Sequence, residues 1–93
     1  MYAVIFKATM AELDDEYMQM AQRLKTLAFE KYGCLDFVSV NEGPVEIAIS
    51  YWETQEQILD WKNDPEHRFA QARGRDKWYR SFSIEICEII RKR

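Results

Sequence analysis

The chain is poor in the residues that punctuate or staple a small fold: three glycines, two prolines, two cysteines and one histidine. So few breakers leave no composition for a linker, repeat or low-complexity tract, and 93 residues make one domain spanning 1–93. Cys34 and Cys87 are far apart and form no CxxC; with a single histidine beside them they exclude a structural zinc site, and both are expected as buried free thiols. No apolar run approaches the roughly 20 residues of a membrane span. Met1-Tyr2-Ala3 leads straight into a strand-like run, without a charged leader or cleavage motif, so a cytoplasmic location is expected. Excess positive charge is missing too. Thirteen basic against sixteen acidic residues give a net charge of −3, so the chain lacks the cationic footprint of a nucleic-acid binder. Its densest basic run, Arg91-Lys92-Arg93, reads as a solvated tail. Paired carboxylates, a Ser-His-Asp arrangement and a phosphate loop are all absent.

The remaining pattern is that of alternating strands and helices. Tyr2–Thr9 is apolar and β-branched, as in a strand. Met10–Tyr32 predicts a helix: Tyr17, Ala21, Leu24 and Ala28 recur at helical spacing, flanked by Met20 and Leu27, with Asp14, Asp15 and Glu16 in the first turns and Gly33 as C-cap. Cys34–Asn41 and Val45–Glu53 form a hairpin across Glu42-Gly43-Pro44. Thr54 caps a short helix to Lys62; Asp64 caps a second with Pro65 in its first turn, running to about Trp78 or Arg80. Phe82–Ile90 is the last strand. The order β-α-β-β-α-β predicts an α+β, ferredoxin-like fold with a four-stranded antiparallel sheet. Ala3-Val4-Ile5-Phe6 and Ile47-Ala48-Ile49, with Tyr51-Trp52, are apolar on both faces. Helices can cover only one face, so a homodimer packed sheet to sheet is expected.

Between Ser50 and Tyr79 lie all three tryptophans and the one histidine: Ser50-Tyr51-Trp52, Trp61, His67, Ala70-Gln71, Gly74-Arg75 and Trp78-Tyr79. Rigid aromatics around a side chain that titrates near neutrality point to a site for a small planar organic ligand. His67, Ala70, Gln71, Gly74, Arg75 and Trp78 are spaced to share one helical face. Gly74 inside a helix is unfavourable by roughly 1 kcal/mol against alanine, so it is expected either to permit close packing or to begin an irregularity. Asp36 and Glu46, near strand ends, are expected in solvent.

This string and the order of elements resemble the antibiotic biosynthesis monooxygenase (ABM) domain family, in its small single-domain bacterial form, over essentially the whole chain. The resemblance implies a dimeric α+β barrel. Its members include cofactor-independent oxygenases of aromatic polyketides, quinol oxygenases and haem-degrading monooxygenases, so fold alone leaves the chemistry open. The chain is similar to the haem-degrading members at Trp61, but Gln71, a poor iron ligand, stands where their proximal histidine falls. Phe6 and Lys7 occupy the region of their strand-one asparagine, and Asp36 the place of a frequent second glycine. Haem is therefore not expected, nor any other cofactor or metal.

The resemblance implies a monooxygenase acting on a small aromatic, phenolic or quinol-like substrate. A non-catalytic dimer that binds a planar metabolite is the first alternative, a haem-binding protein the second. Under the leading reading His67 is the base, kept neutral by the helix N-terminus against the opposing charge of Asp64 and Glu66. Trp61 and Trp78 are pocket walls, while Gln71, Arg75 and Tyr79 are polar anchors. The competing readings are a pocket-edge histidine with a structural hydrogen bond, core tryptophans, an exposed glutamine, an arginine in a surface ion pair and a tyrosine at the dimer seam.

Overall fold

The computed structural model describes residues 1–93. Strand β1 (Tyr2–Met10) is followed by α1 (Asp15–Tyr32), β2 (Asp36–Glu42), β3 (Val45–Trp52), α2 (Gln55–Lys62), α3 (Pro65–Arg73), one π-helical turn (Gly74–Trp78) and β4 (Tyr79–Glu88). The four strands form one antiparallel sheet in the order β2-β3-β1-β4. The ferredoxin-like order is as expected; the differences lie at element ends.

The first strand runs past Thr9, because Met10 pairs with Tyr79 and its N–H donates to the Pro44 carbonyl at 2.8 Å. Helix α1 therefore starts at Asp15, with Asp14 as its N-cap accepting from the Tyr17 N–H at 2.8 Å. Gly33 ends it in the left-handed region at φ 78°. In α1, Tyr17, Leu27 and Ala28 are buried and Met20 and Leu24 pack against them, but Ala21 is exposed. The Thr54 side chain and Gln57 close a reciprocal capping box on α2. Asp64 caps α3 by accepting from the Glu66 N–H at 2.9 Å. The expected helix to Trp78 or Arg80 stops being α-helical at Arg73, since Gly74 opens the π turn, and β4 begins at Tyr79 rather than Phe82.

Cross-strand partners share a face, so the registers sort the side chains. The inner face carries Val4, Phe6 and Ala8 of β1, Glu46, Ala48, Ser50 and Trp52 of β3, and Phe82, Ile84 and Ile86 of β4. Two core clusters lie on it. One joins Val4 and Trp52 to Ala28, Ile58 and Trp61; the other joins Ala8 and Met10 to Tyr17, Ala70 and Trp78. The outer face carries Ile5, Val38, Val40, Val45, Ile47, Ile49 and Tyr51, with no helix over it; Val38 and Val40 are exposed. Cys34 is buried as expected, and burial pushes its thiol up. Cys87 is only half-buried, because it lies on the outer face of edge strand β4 opposite Ala3. No helix is long and apolar enough to cross a membrane.

Candidate functional site

The helices pack over β1 and β3 and leave the inner face of β4 bare. Phe82, Ile84 and Ile86 are 42%, 44% and 51% exposed although they point to the helical side. With half-buried Phe6 beside them and Tyr79 at the head of the strand, they form a solvent-facing apolar strip along the β1–β4 seam, the candidate cleft. Its floor is aromatic: ring centroids are 5.4 Å apart for Phe6 and Tyr79, 5.7 Å for Tyr79 and Phe82, and 6.3 Å for Phe6 and Phe82, the last pair stacked at 25°. A bare apolar row on an edge strand is a surface that natural proteins keep for a ligand or partner.

Tyr79 is held in this floor by Gly74. A Cβ there would overlap the Tyr79 ring, so the ring lies directly on the backbone of the π turn. Both expectations for Gly74 therefore meet at one residue. Single π turns recur at functional sites. Burial, aided by the nearby Glu46 charge, pushes the Tyr79 hydroxyl up to about 12, so it remains a donor at neutral pH.

Glu46 is not solvated. It sits on the inner face of β3 opposite Ala8, only 8% exposed. The Tyr17 hydroxyl donates to one of its oxygens and the Ser39 hydroxyl to the other, at 3.3 Å. Burial, then that hydrogen bond, raises the Tyr17 hydroxyl far above the usual tyrosine range. Asp36, by contrast, is exposed as expected.

His67 lies in the first turn of α3, its ring edge-on to Trp61 with centroids 4.4 Å apart. Burial lowers its pKa to about 4, overriding its own backbone and then the Asp64 charge, which both favour the imidazolium, so the ring is neutral at pH 7. Its Nδ1 is buried and has no hydrogen-bond partner. The Trp78 indole N–H is likewise buried without an acceptor.

The sequence-derived site residues thus fall into two groups and an outlier. Trp61 and His67 belong with the first core cluster, where Trp61 lies 5.2 Å from Trp52 and donates to the Leu24 carbonyl at 3.1 Å. Trp78 and Tyr79 belong with the second, Trp78 edge-on to Tyr17 at 5.3 Å. Gln71 is half-buried on α3 between them. Arg75 departs from the expected shared face: the π turn widens the helix at Gly74, and Arg75 stands exposed in a shallow depression with Ala72, Arg73 and Asp76. It makes no ion pair. Sequence reasoning missed Phe6, Tyr17, Glu46, Phe82, Ile84 and Ile86. The alternation of Phe82, Ile84 and Ile86 with Ser81, Ser83 and Glu85 was visible, but not the edge position that leaves that row uncovered.

YqjZ, an uncharacterised protein of Bacillus subtilis (strain 168), is 36% identical to the chain over 93 residues, covering 99% of the chain and 82% of YqjZ. The chain belongs to the family of YqjZ. No family model matches it. Among solved structures, SnoaB, a cofactor-independent oxygenase from Streptomyces nogalater, superposes with a TM-score of 0.81 over 98% of this chain and 94% of SnoaB, at 11% identity. A candidate antibiotic biosynthesis monooxygenase from Nitrosomonas europaea gives 0.77 over 98% and 100% of the two chains, also at 11% identity. Rv0793 from Mycobacterium tuberculosis gives 0.79 over 98% and 96%, at 10% identity. The fold is the ABM fold.

Proposed function

We propose that the protein is a cofactor-independent monooxygenase for a small aromatic, phenolic or quinol-like compound, bound in the β1–β4 cleft of a homodimer. The observation that carries this reading is the uncovered aromatic and apolar floor that Phe6, Tyr79, Phe82, Ile84 and Ile86 form on the inner face along β4. Nδ1 of His67 is a buried ring nitrogen with no hydrogen-bond partner in the chain, and an atom left so calls for a catalytic role, an ordered water or a ligand to account for it. A neutral imidazole can accept the proton of an ionising phenol or enol. The resulting anion gives an electron to O2, and the radical pair combines to a hydroperoxide. For an anthrone, loss of water then leaves a carbonyl where a CH2 stood. One oxygen atom enters the product, the other leaves as water, and all four electrons come from the substrate, so the balance needs no cofactor.

The fold shared with SnoaB supports the reading, as do the aromatic floor of the cleft and the Tyr79 hydroxyl at its end. Under this reading Trp61 serves by holding His67 and Trp78 by carrying Tyr79; Gln71 remains a candidate anchor, and Arg75, exposed on the π turn, is the weaker one. The bare apolar outer face supports a sheet-to-sheet dimer.

An oxygen electrode with dithranol, an anthrone, tests the reaction. Uptake is expected without added haem, flavin or metal, and His67→Ala is expected to slow it by about 10²-fold or more. No uptake with dithranol or with a naphthohydroquinone sinks the oxygenase reading. Uptake that His67→Ala leaves unchanged removes only the base.

A further inference from the structure

The outer face of the sheet carries two charges that nothing in the chain answers. The registers lay its side chains out in rows across β2, β3, β1 and β4. One central row reads Val38, Ile49, Ile5, Glu85, and the next reads Val40, Ile47, Lys7, Ser83. Lys7 and Glu85 are thus the only charges in the middle of this face. Both are exposed, and neither makes an ion pair within the chain. Around Lys7, Val40, Val45 and Ile47 the face sinks into a depression of about 410 Å³. The aliphatic residues of the two rows lie on β2 and β3 and at Ile5, while the polar ones lie on β1 and β4.

Taking the outer face as the dimer surface, as the proposed function does, we propose that the twofold axis runs across the strands, midway between these two rows, and that Lys7 of each protomer pairs with the partner's Glu85. For two copies of one sheet stacked with aligned strands, an axis lying between them runs either across the strands or along them. Run across, it keeps each strand over its own copy and exchanges the two central rows. Ile47 then meets the partner's Ile49 and Val40 meets the partner's Val38, filling the depression. Lys7 lies over the partner's Ile5, with the partner's Glu85 one strand away, and the ion pair forms twice. An axis along the strands would instead set Val38 on the partner's Glu85 and Ile47 on the partner's Lys7. Charges desolvated against aliphatic groups without a counter-charge are strongly unfavourable. Moving the axis onto either central row would stack Glu85 on the partner's Glu85 or Lys7 on the partner's Lys7. Midway, the one like-charged match is Asp36 with the partner's Glu42, at the open edge of β2, where both are exposed and solvent screens them.

Sedimentation equilibrium of charge-swapped variants tests the pairing. Lys7→Glu and Glu85→Lys each bring like charges together twice, and each is expected to weaken the dimer at least about tenfold. The double variant Lys7→Glu/Glu85→Lys is expected to return to within about threefold of the intact protein. An equimolar mixture of the two single variants restores both pairs across the interface, so native mass spectrometry is expected to find the heterodimer in excess of either homodimer. A pair made inside one chain would be restored in the double variant but not in the mixture. Undiminished association of both single variants, a double variant no stronger than they are, or a mixture without preference for the heterodimer overturns the pairing while the dimer stands. Should a reversal fail to fold, Lys7→Gln and Glu85→Gln remove the charges without adding repulsion. Their effects on the dimer are then expected to be less than additive, and strict additivity overturns the pairing. An intact protein that stays monomeric overturns the sheet-to-sheet dimer, and this proposal with it. Neither ligand nor oxygen enters the readout, so failure of the oxygenase chemistry is seen separately.

Discussion

Keeping one imidazole neutral makes stability depend on pH. His67 has a folded pKa of about 4 against an ordinary 6.5. Between those values the unfolded chain binds the proton more readily, so stability is complete above pH 6.5 and falls as the pH drops toward 4. The loss can reach roughly 3 kcal/mol, at 1.36 kcal/mol per pH unit. Urea melts from pH 7 to 4 should show this decline, and His67→Gln should flatten it; equal slopes in the two proteins would mean that the ring does not stay neutral. A second residue-scale consequence concerns Gly74. Adding a methyl group forces the Tyr79 ring off the π turn, so Gly74→Ala should destabilise the protein by about 1–3 kcal/mol and change the near-ultraviolet dichroism of the tyrosines. An unchanged spectrum and melting temperature would remove the contact. These residues were only partly legible beforehand. Gly74 announced itself by its place in a helix. The burial that decides the protonation of His67 depends on Trp61 closing over it, which spacing along one helix does not reveal.

At the scale of elements, local chemistry set most boundaries. Thr54 with Gln57 and Asp64 with Pro65 are start signals readable from single residues, and each helix begins where they place it. Thr54→Ala should cost about 1 kcal/mol in chemical denaturation, with activity retained. The hairpin over Gly43, at φ 56°, was equally legible. Less legible were the joins made by distant residues. Met10 belongs to β1 because Pro44 and Tyr79 offer it partners, and the α3–β4 connection widens to a π turn because Tyr79 must pack on Gly74. The same limit hid most of the candidate site. Trp61, His67, Trp78 and Tyr79 could be picked out by type. That α3 stops short of covering Phe82, Ile84 and Ile86, and that Glu46 turns inward beneath Tyr17, follow from packing between elements far apart in the chain.

At the scale of the whole molecule, few residues are shielded: only 17 of 93 are buried, and the outer sheet face, which no helix covers, is the surface proposed for the dimer. Apolar side chains there lie on β1, β2 and β3, whereas β4 presents Ser81, Ser83 and Glu85. Sedimentation of the protein should give twice the mass of one chain. Ile49→Asp, at the middle of the patch, should convert it to a monomer with lowered stability; a dimer that survives the substitution would place the interface elsewhere.

Strand β4 therefore faces two ways with different chemistry. Its even-numbered residues from Phe82 to Ile86 look to the helical side, while the odd-numbered Ser81, Ser83 and Glu85 border the patch. The proposed cleft and the proposed dimer face are thus written in alternate letters of one strand. On that proposal, a lineage could exchange Phe82, Ile84 or Ile86 for larger, smaller or more polar side chains and acquire a new ligand without disturbing the dimer face. Drift at the seam would equally leave the ligand unchanged, so relatives of this chain are free to diverge in chemistry while keeping a common architecture.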